Sequence, residues 1–254
     1  MHWTKEHIMS VIRYGPRSST MKASALKTLL IEVQEKIKQG YTRKISFGEL
    51  RKRMPKNLKI SPVVMMPHKS RDYRTILDLS FKLKVNVTTM KSVNEGTVHT
   101  SPQHSMRELG RVIERMISLM AASSTDSPNF LFSKLDIKDG FRRVNIDEND
   151  AYHFCYILPL ENGKEIININ KVTIVIRGSL QMGWTESPPF FYSATETARD
   201  VAETLINSGI EVNTHPLEHY CVPPKDLKAN VSITCNDLIT QLKLYMDDFI
   251  LMSQ

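Results

Sequence analysis

Leu244-Tyr245-Met246-Asp247-Asp248-Phe249-Ile250-Leu251 sets two acids between two short runs of β-forming residues, close to the end of a 254-residue chain. The pattern predicts a strand, a tight turn carrying the acids, and a return strand. Neighbouring side chains on a regular strand point to opposite faces, so adjacent carboxylates can serve one site only where the backbone bends. Buried without a partner they would cost stability, and a hard divalent cation with oxygen ligands would neutralise them. The plain alternative is a solvated acidic hairpin tip. Upstream segments bear on the choice.

Phe130-Leu131-Phe132-Ser133-Lys134-Leu135-Asp136-Ile137 reads as a buried strand closed by an acid, followed by Lys138-Asp139-Gly140-Phe141. A carboxylate closing an apolar strand needs a partner. Gly178 to Pro189 leads from another strand into a helix. Ser187 suits the N-cap, Pro188 the first helical position, and Phe190, Phe191, Ala194, Ala198, Val201 and Leu205 mark the expected buried face as far as Gly209. A loop and helix N-terminus after a strand suit a nucleotide. Ile60 to Pro67 and Tyr73 to Ser80 predict a hairpin whose tip is basic. There Lys69, Arg71 and Arg74 could grip a triphosphate, arginine by a bidentate fork and lysine as a point charge. A charged turn that keeps the hairpin soluble is the other reading.

Ser24 to Gly40 predicts an amphipathic helix with Leu26, Leu29, Leu30, Val33 and Ile37 inward and Glu32 paired to Lys36 one turn on. Its Lys36, Lys38, Arg43 and Lys44 read as a solvated basic face. Gln103 to Ala122 predicts a second such helix, with Met106, Leu109, Ile113, Met116, Ile117 and Met120 as its packing side. Tyr152 to Leu158 and Ile166 to Ile176 read as strands about the turn Glu161-Asn162-Gly163-Lys164. Met1 to Thr20, with Gly15, Pro16 and a Ser-Ser-Thr run, reads as an irregular arm, and residues 209–241, with Pro216, Pro223 and Pro224, as a surface insertion.

Composition sets the bounds. Hydrophobic residues make up 41% and charged residues 24%, which excludes wholesale disorder. A formal charge of +7 favours a polyanionic partner. Cys155, Cys221 and Cys235 are odd in number and far apart, so free thiols in a reducing compartment are expected. His215, His219, Cys221 and Cys235 are too irregularly spaced to be claimed as a zinc site. The longest apolar runs, such as Val172 to Ile176, are too short to span a bilayer, and the first residues lack the layout of a signal peptide. A soluble, intracellular chain with no membrane partner is expected, cytoplasm or nucleus left open.

Taken together, these segments resemble the reverse transcriptases of retroviruses and long-terminal-repeat retrotransposons. Leu135-Asp136-Ile137-Lys138-Asp139-Gly140-Phe141 looks like the family's first catalytic motif. Leu180 to Pro189, with Gly183-Trp184 and Ser187-Pro188, looks like the second, and Tyr245-Met246-Asp247-Asp248 like the third. Tyr73-Arg74-Thr75-Ile76-Leu77-Asp78 resembles the fingers strand with its triphosphate-binding arginine. The resemblance covers roughly residues 60 to 254, with its motifs in the family's order.

It implies an α+β fold: a right-hand palm with a small antiparallel sheet backed by helices, and hairpin-rich fingers. The implied layout is an arm at 1–21, fingers at 22–99 and 143–184, and palm at 100–142 and 185–254. The resemblance implies an RNA-directed DNA polymerase that transfers deoxynucleotides onto a primer 3′-hydroxyl by a two-metal mechanism, with Asp136, Asp247 and Asp248 as the catalytic carboxylates and ligands of Mg2+, or of Mn2+ in its place. It puts the incoming deoxynucleoside triphosphate against Lys69, Arg71, Arg74, Asp139, Gly140, Phe141, Met182 and Gly183. Phe141 falls where the family sets a ring against the sugar 2′ position. Trp184, Ser187, Pro188, Tyr245 and Met246 are implied for template and primer, the template being RNA or DNA.

Met182 stands where the family commonly has Gln, and Gln181 where it has Pro, so a usual polar contact to the nucleotide is expected to be missing or replaced. The chain stops at Gln254, before the family's thumb, so a fragment lacking the thumb is expected. Two other functions stay open: an RNA-dependent RNA polymerase sharing the palm, and a catalytically incomplete fragment that only binds nucleic acid.

Overall fold

The computed structural model describes residues 2–69, 72–85, 88–102, 106–107, 111–122, 131–159, 168–208, 240–245 and 248–253. In chain order the longer elements begin with helices α1 (Lys5–Tyr14) and α2 (Ala23–Lys38), strand β1 (Thr42–Ser46) and helix α3 (Phe47–Lys52). Strands β2 (Val63–Pro67), β3 (Tyr73–Leu77), β4 (Lys84–Val85) and β5 (Thr88–Thr89) follow, then helix α4 (Val112–Ala122) and strand β6 (Leu131–Asp136). Strands β7 (Cys155–Leu158) and β8 (Thr173–Arg177), helix α5 (Ser187–Asn207), and strands β9 (Thr240–Tyr245) and β10 (Asp248–Ser253) complete the set. The fold is mixed α+β with small antiparallel sheets. Among the described residues no helix is long and apolar enough to cross a membrane.

The chain divides into two interleaved compact units, Met1–Ser101 with Asp139–Phe191, and Pro102–Lys138 with Tyr192–Gln254. The first is built on an antiparallel sheet in the order β1-β8-β7, with Thr42 opposite Arg177 and Cys155 opposite Ile176. Its central strand is a continuous apolar run because both faces are covered. Side chains alternate across a strand, so Ile174, Ile176, Cys155 and Ile157 enter one core while Val175 and Tyr156 enter the other. Ile8, Val11 and Ile12 of α1 and Phe47 and Leu50 of α3 fill the first core. Ala25, Leu29 and Val33 of α2, with Val63, Met65 and Leu77 of the β2–β3 hairpin, fill the second. Truncating the fully buried Leu29 to Ala would cost about 2–5 kcal/mol. Cys155 is a buried free thiol at the centre of this unit.

Four expectations change here. The N-terminal arm contains α1, started by a reciprocal cap in which Thr4 Oγ1 accepts the His7 N–H, 3.2 Å, and His7 Nδ1 accepts the Thr4 N–H. Gly15, at φ 73°, ends that helix, so the turn signal marks a helix stop. The same arm sends Arg17 to Asp78, 3.1 Å, at the end of β3. Second, the basic stretch after α2 is strand β1, and Ser46 with Glu49 caps α3 in the same reciprocal way.

Third, Ile113 and Ile117 of α4, expected as core, are 68% and 61% exposed. Periodicity marks a face as apolar without saying what covers it. The end of β6 likewise exposes Lys134, Leu135 and Asp136. Fourth, Phe191, Tyr192 and Thr195 are buried on α5, along with Ser187 and Pro189 in its first turn, while Ala194, Ala198, Val201 and Leu205 are exposed. Arg199 turns inward with Glu196, 3.0 Å, and Glu203, 3.4 Å, a charged group that an apolar-period count passes over. The expected insertion 209–241 lies, apart from its last two residues, outside the described residues, as does the turn at residues 161–164.

Candidate active site

The second unit holds the acids. Strand β10 runs between β6 and β9, antiparallel to both. Its first residue, Asp248, is opposite Asp136, the last residue of β6, and also opposite Tyr245, the last of β9. Directly opposed residues on antiparallel strands have Cα atoms about 4.5–5.5 Å apart, so two acids from segments distant in sequence meet at one end of the sheet. The Asp136 side chain is exposed there. Met246 and Asp247, the two residues between Tyr245 and Asp248, lie outside the described residues. Among the described residues there is no group of three or more His, Cys, Asp or Glu able to hold a metal. Aspartates supply hard oxygen donors of the type Mg2+ takes.

In the first unit, the residues expected at the nucleotide sit on a turn braced by charge. Asp139 adopts a left-handed conformation, φ 59°, and starts a 3-10 turn at Gly140–Arg143. Its carboxylate takes a bond from Lys36 Nζ, 2.8 Å, and lies 3.9 Å from Arg142. Arg142 reaches across to Glu32 Oε1, 2.6 Å, whose other oxygen accepts the Thr75 hydroxyl. Burial would raise the Glu32 carboxyl, but the Arg142 charge, the Thr75 hydrogen bond and Arg177 outweigh it and hold it below its ordinary value. Glu32 therefore ties the residue after Arg74 to the residue after Phe141. The expected Glu32–Lys36 pair does not form: each side chain takes a partner from a distant segment instead. Lys36 is thus no part of a solvated face, and Arg43 pairs with Glu148.

Around this turn, Gly140 is buried and the half-buried Phe141 ring packs on Phe191, centroids 4.8 Å apart. Arg74 is exposed on β3, and its guanidinium reaches the thioether of Met182, so the sequence's hairpin arginine and its second motif do come together. Lys69 is exposed beyond the end of β2, and Arg71 lies outside the described residues. Gly183 has φ 94°, a conformation for which glycine is suited. Trp184 donates its indole N–H to Thr97 Oγ1, 2.9 Å. Ser187, the first residue of α5, is wholly buried and its hydroxyl accepts the Gln181 N–H, 3.1 Å, while Pro188 is half-buried.

Arg177 and Glu186 are residues beside these that sequence reasoning missed, and Gln181 stands out in the sequence only as a departure from the family's Pro. Gln181 is buried, accepting from Arg177, 2.8 Å, and donating to the Ser179 carbonyl, 2.6 Å. Glu186 accepts from His99 Nδ1, 2.8 Å, and from the amides of Thr100, 3.1 Å, and Ser101, 3.0 Å. Burial pushes its carboxyl upward, and those bonds more than compensate, leaving it below its ordinary value. The Glu next to the Ser-Pro pair was the available signal, since a lone acid in an apolar loop needs donors. No protein-family model matches the chain, and no curated protein matches it.

Proposed function

We propose that this chain is the palm-and-fingers core of an RNA-directed DNA polymerase, adding deoxynucleotides to a primer 3′ end. The observation that carries the reading is the register that sets Asp248 opposite Asp136. It is supported by the order of the three motifs, by a chain that crosses three times between two units, and by the +7 charge. Asp136 and Asp248, with Asp247, would hold Mg2+. That ion, when bound, supplies Lewis-acid stabilisation of the charge that develops at the reacting phosphate. The primer 3′ oxygen attacks the α-phosphorus and pyrophosphate departs.

The remaining work is positioning. Arg74 and Lys69 neutralise the triphosphate, and the braced turn presents the Asp139 and Gly140 backbone to it. Phe141, seated on Phe191, disfavours a ribose 2′-hydroxyl. Met182 offers Arg74 a soft, uncharged neighbour in place of a polar contact to the nucleotide.

Mn2+ binding followed by electron paramagnetic resonance tests the metal assignment. The Asp136→Asn/Asp248→Asn double variant should bind Mn2+ at least about tenfold more weakly than the wild type. Equal binding would remove the register's significance.

A further inference from the structure

The first unit contains a cleft of about 640 Å³, in which the polymerase reading gives a role to Trp184 alone. That size is within the range of small-molecule sites. One wall is aromatic and rigid: Trp184 stacks with Phe190, centroids 6.1 Å apart and 17° between planes, and meets Phe154 edge-on at 5.2 Å. The Trp184 ring is further fixed by its bond to Thr97, another lining residue.

Opposite chemistry is supplied by Lys59. It is only 4% exposed, and burial is the one influence that shifts its ammonium. The Nζ lies so close to Gly96, also in the lining, that a Cβ there would come within 2.9 Å of it. Burial lowers the pKa of Lys59, the sign of a charge that lacks compensation. The amides of Asn57 and Asn145 also line the cleft without side-chain partners among the described residues. Each offers both donors and an acceptor.

We propose that this cleft binds a nucleotide unit, a flat base against the Trp184 wall with one phosphate on Lys59. A preformed aromatic wall takes a base at low entropic cost, and amides match the mixed donors and acceptors of a base edge. An ammonium on so deeply set a side chain is offset best by a compact anion. Asp147 and Asp150, both exposed, also line the cleft and set its limit: their charges oppose a run of phosphates and favour a single one. The proposal shares Trp184 with the polymerase reading but not its acids, since neither Asp136 nor Asp248 lines the cleft. The same chemistry has two sources, a free mononucleotide or the end of a single strand.

Calorimetric titration of the whole chain with AMP, adenosine, inorganic phosphate and a short oligodeoxyadenylate separates the outcomes. AMP is expected to bind saturably, and adenosine and phosphate each more weakly. Lys59→Met should weaken AMP about tenfold or more while leaving adenosine unchanged. Gly96→Ala, which displaces the ammonium without removing charge, should weaken AMP to a smaller degree. Both variants are checked for native circular dichroism. Tighter binding of the oligonucleotide than of AMP would make a strand end the source, and tighter binding of AMP a free nucleotide. AMP binding unaffected by both variants, or lost with Asp247→Asn instead, would overturn the proposal, as would no saturable binding of any nucleotide.

Discussion

Replacing Glu32 by Gln removes one negative charge from the brace that joins α2, β3 and the Asp139–Arg143 turn. Glu32 and Arg142 are 24% and 23% exposed and 2.6 Å apart, so solvent screens the pair only partly. A charge-assisted hydrogen bond of this kind contributes about 1.5–3 kcal/mol. The Thr75 bond can survive on the amide oxygen, and Arg142 keeps Asp139 nearby, so the loss should be about 2 kcal/mol. Urea denaturation followed by tryptophan emission is the assay, because both tryptophans, Trp3 and Trp184, belong to the unit that holds Glu32. Acid provides the check on mechanism. The folded carboxyl lies below its ordinary value of 4.5, so its contribution is complete above that pH and fades as pH falls through the folded value. The gap between wild type and Glu32→Gln should therefore narrow in acid. A gap of constant size at every pH, or none at neutral pH, would refute the reasoning.

His153 should titrate near 4 in a proton NMR experiment, because burial and the Lys59 charge disfavour its imidazolium; a midpoint near 6.5 would show the ring to be solvated. Since that folded value is depressed, stability should fall as pH drops from about 6.5 towards about 4 and level off below it. Gly183→Ala should cost about 1–2 kcal/mol in the same urea assay, because its φ of 94° strains any side chain, and a loss under about 0.5 kcal/mol would place the strain elsewhere.

Local chemistry was legible and distant pairing was not. The turn residues and β-branched runs around Met65 and Ile76 announced the β2–β3 hairpin, and the spacing of Leu26, Leu29 and Val33 announced α2. The α+β class followed from the resemblance that the ordered motifs carry, and the small antiparallel sheets agree with it. The Thr4-to-His7 cap was hidden by a histidine in place of the usual Glu or Gln, so α1 was read as an irregular arm. Glu32 looked ready for Lys36 four residues on, yet partners from segments far along the chain took both, because tertiary ion pairs with less exposure outcompete a solvated helix pair. An apolar stripe on α4 and on the later part of α5 was visible, while its exposure was not. At the acids, the sequence supplied residue types and the fold supplied the register that brings Asp136 to Asp248.

Primer extension on an RNA template with magnesium, with deoxy- and ribonucleotides in parallel and Asp247→Asn as the control, tests the polymerase reading most directly. The account predicts incorporation of deoxynucleotides, little of ribonucleotides, and neither in Asp247→Asn. Template-primer binding without incorporation, unchanged by Asp247→Asn, would contradict it and leave a nucleic-acid-binding protein; ready use of ribonucleotides would contradict the role given to Phe141.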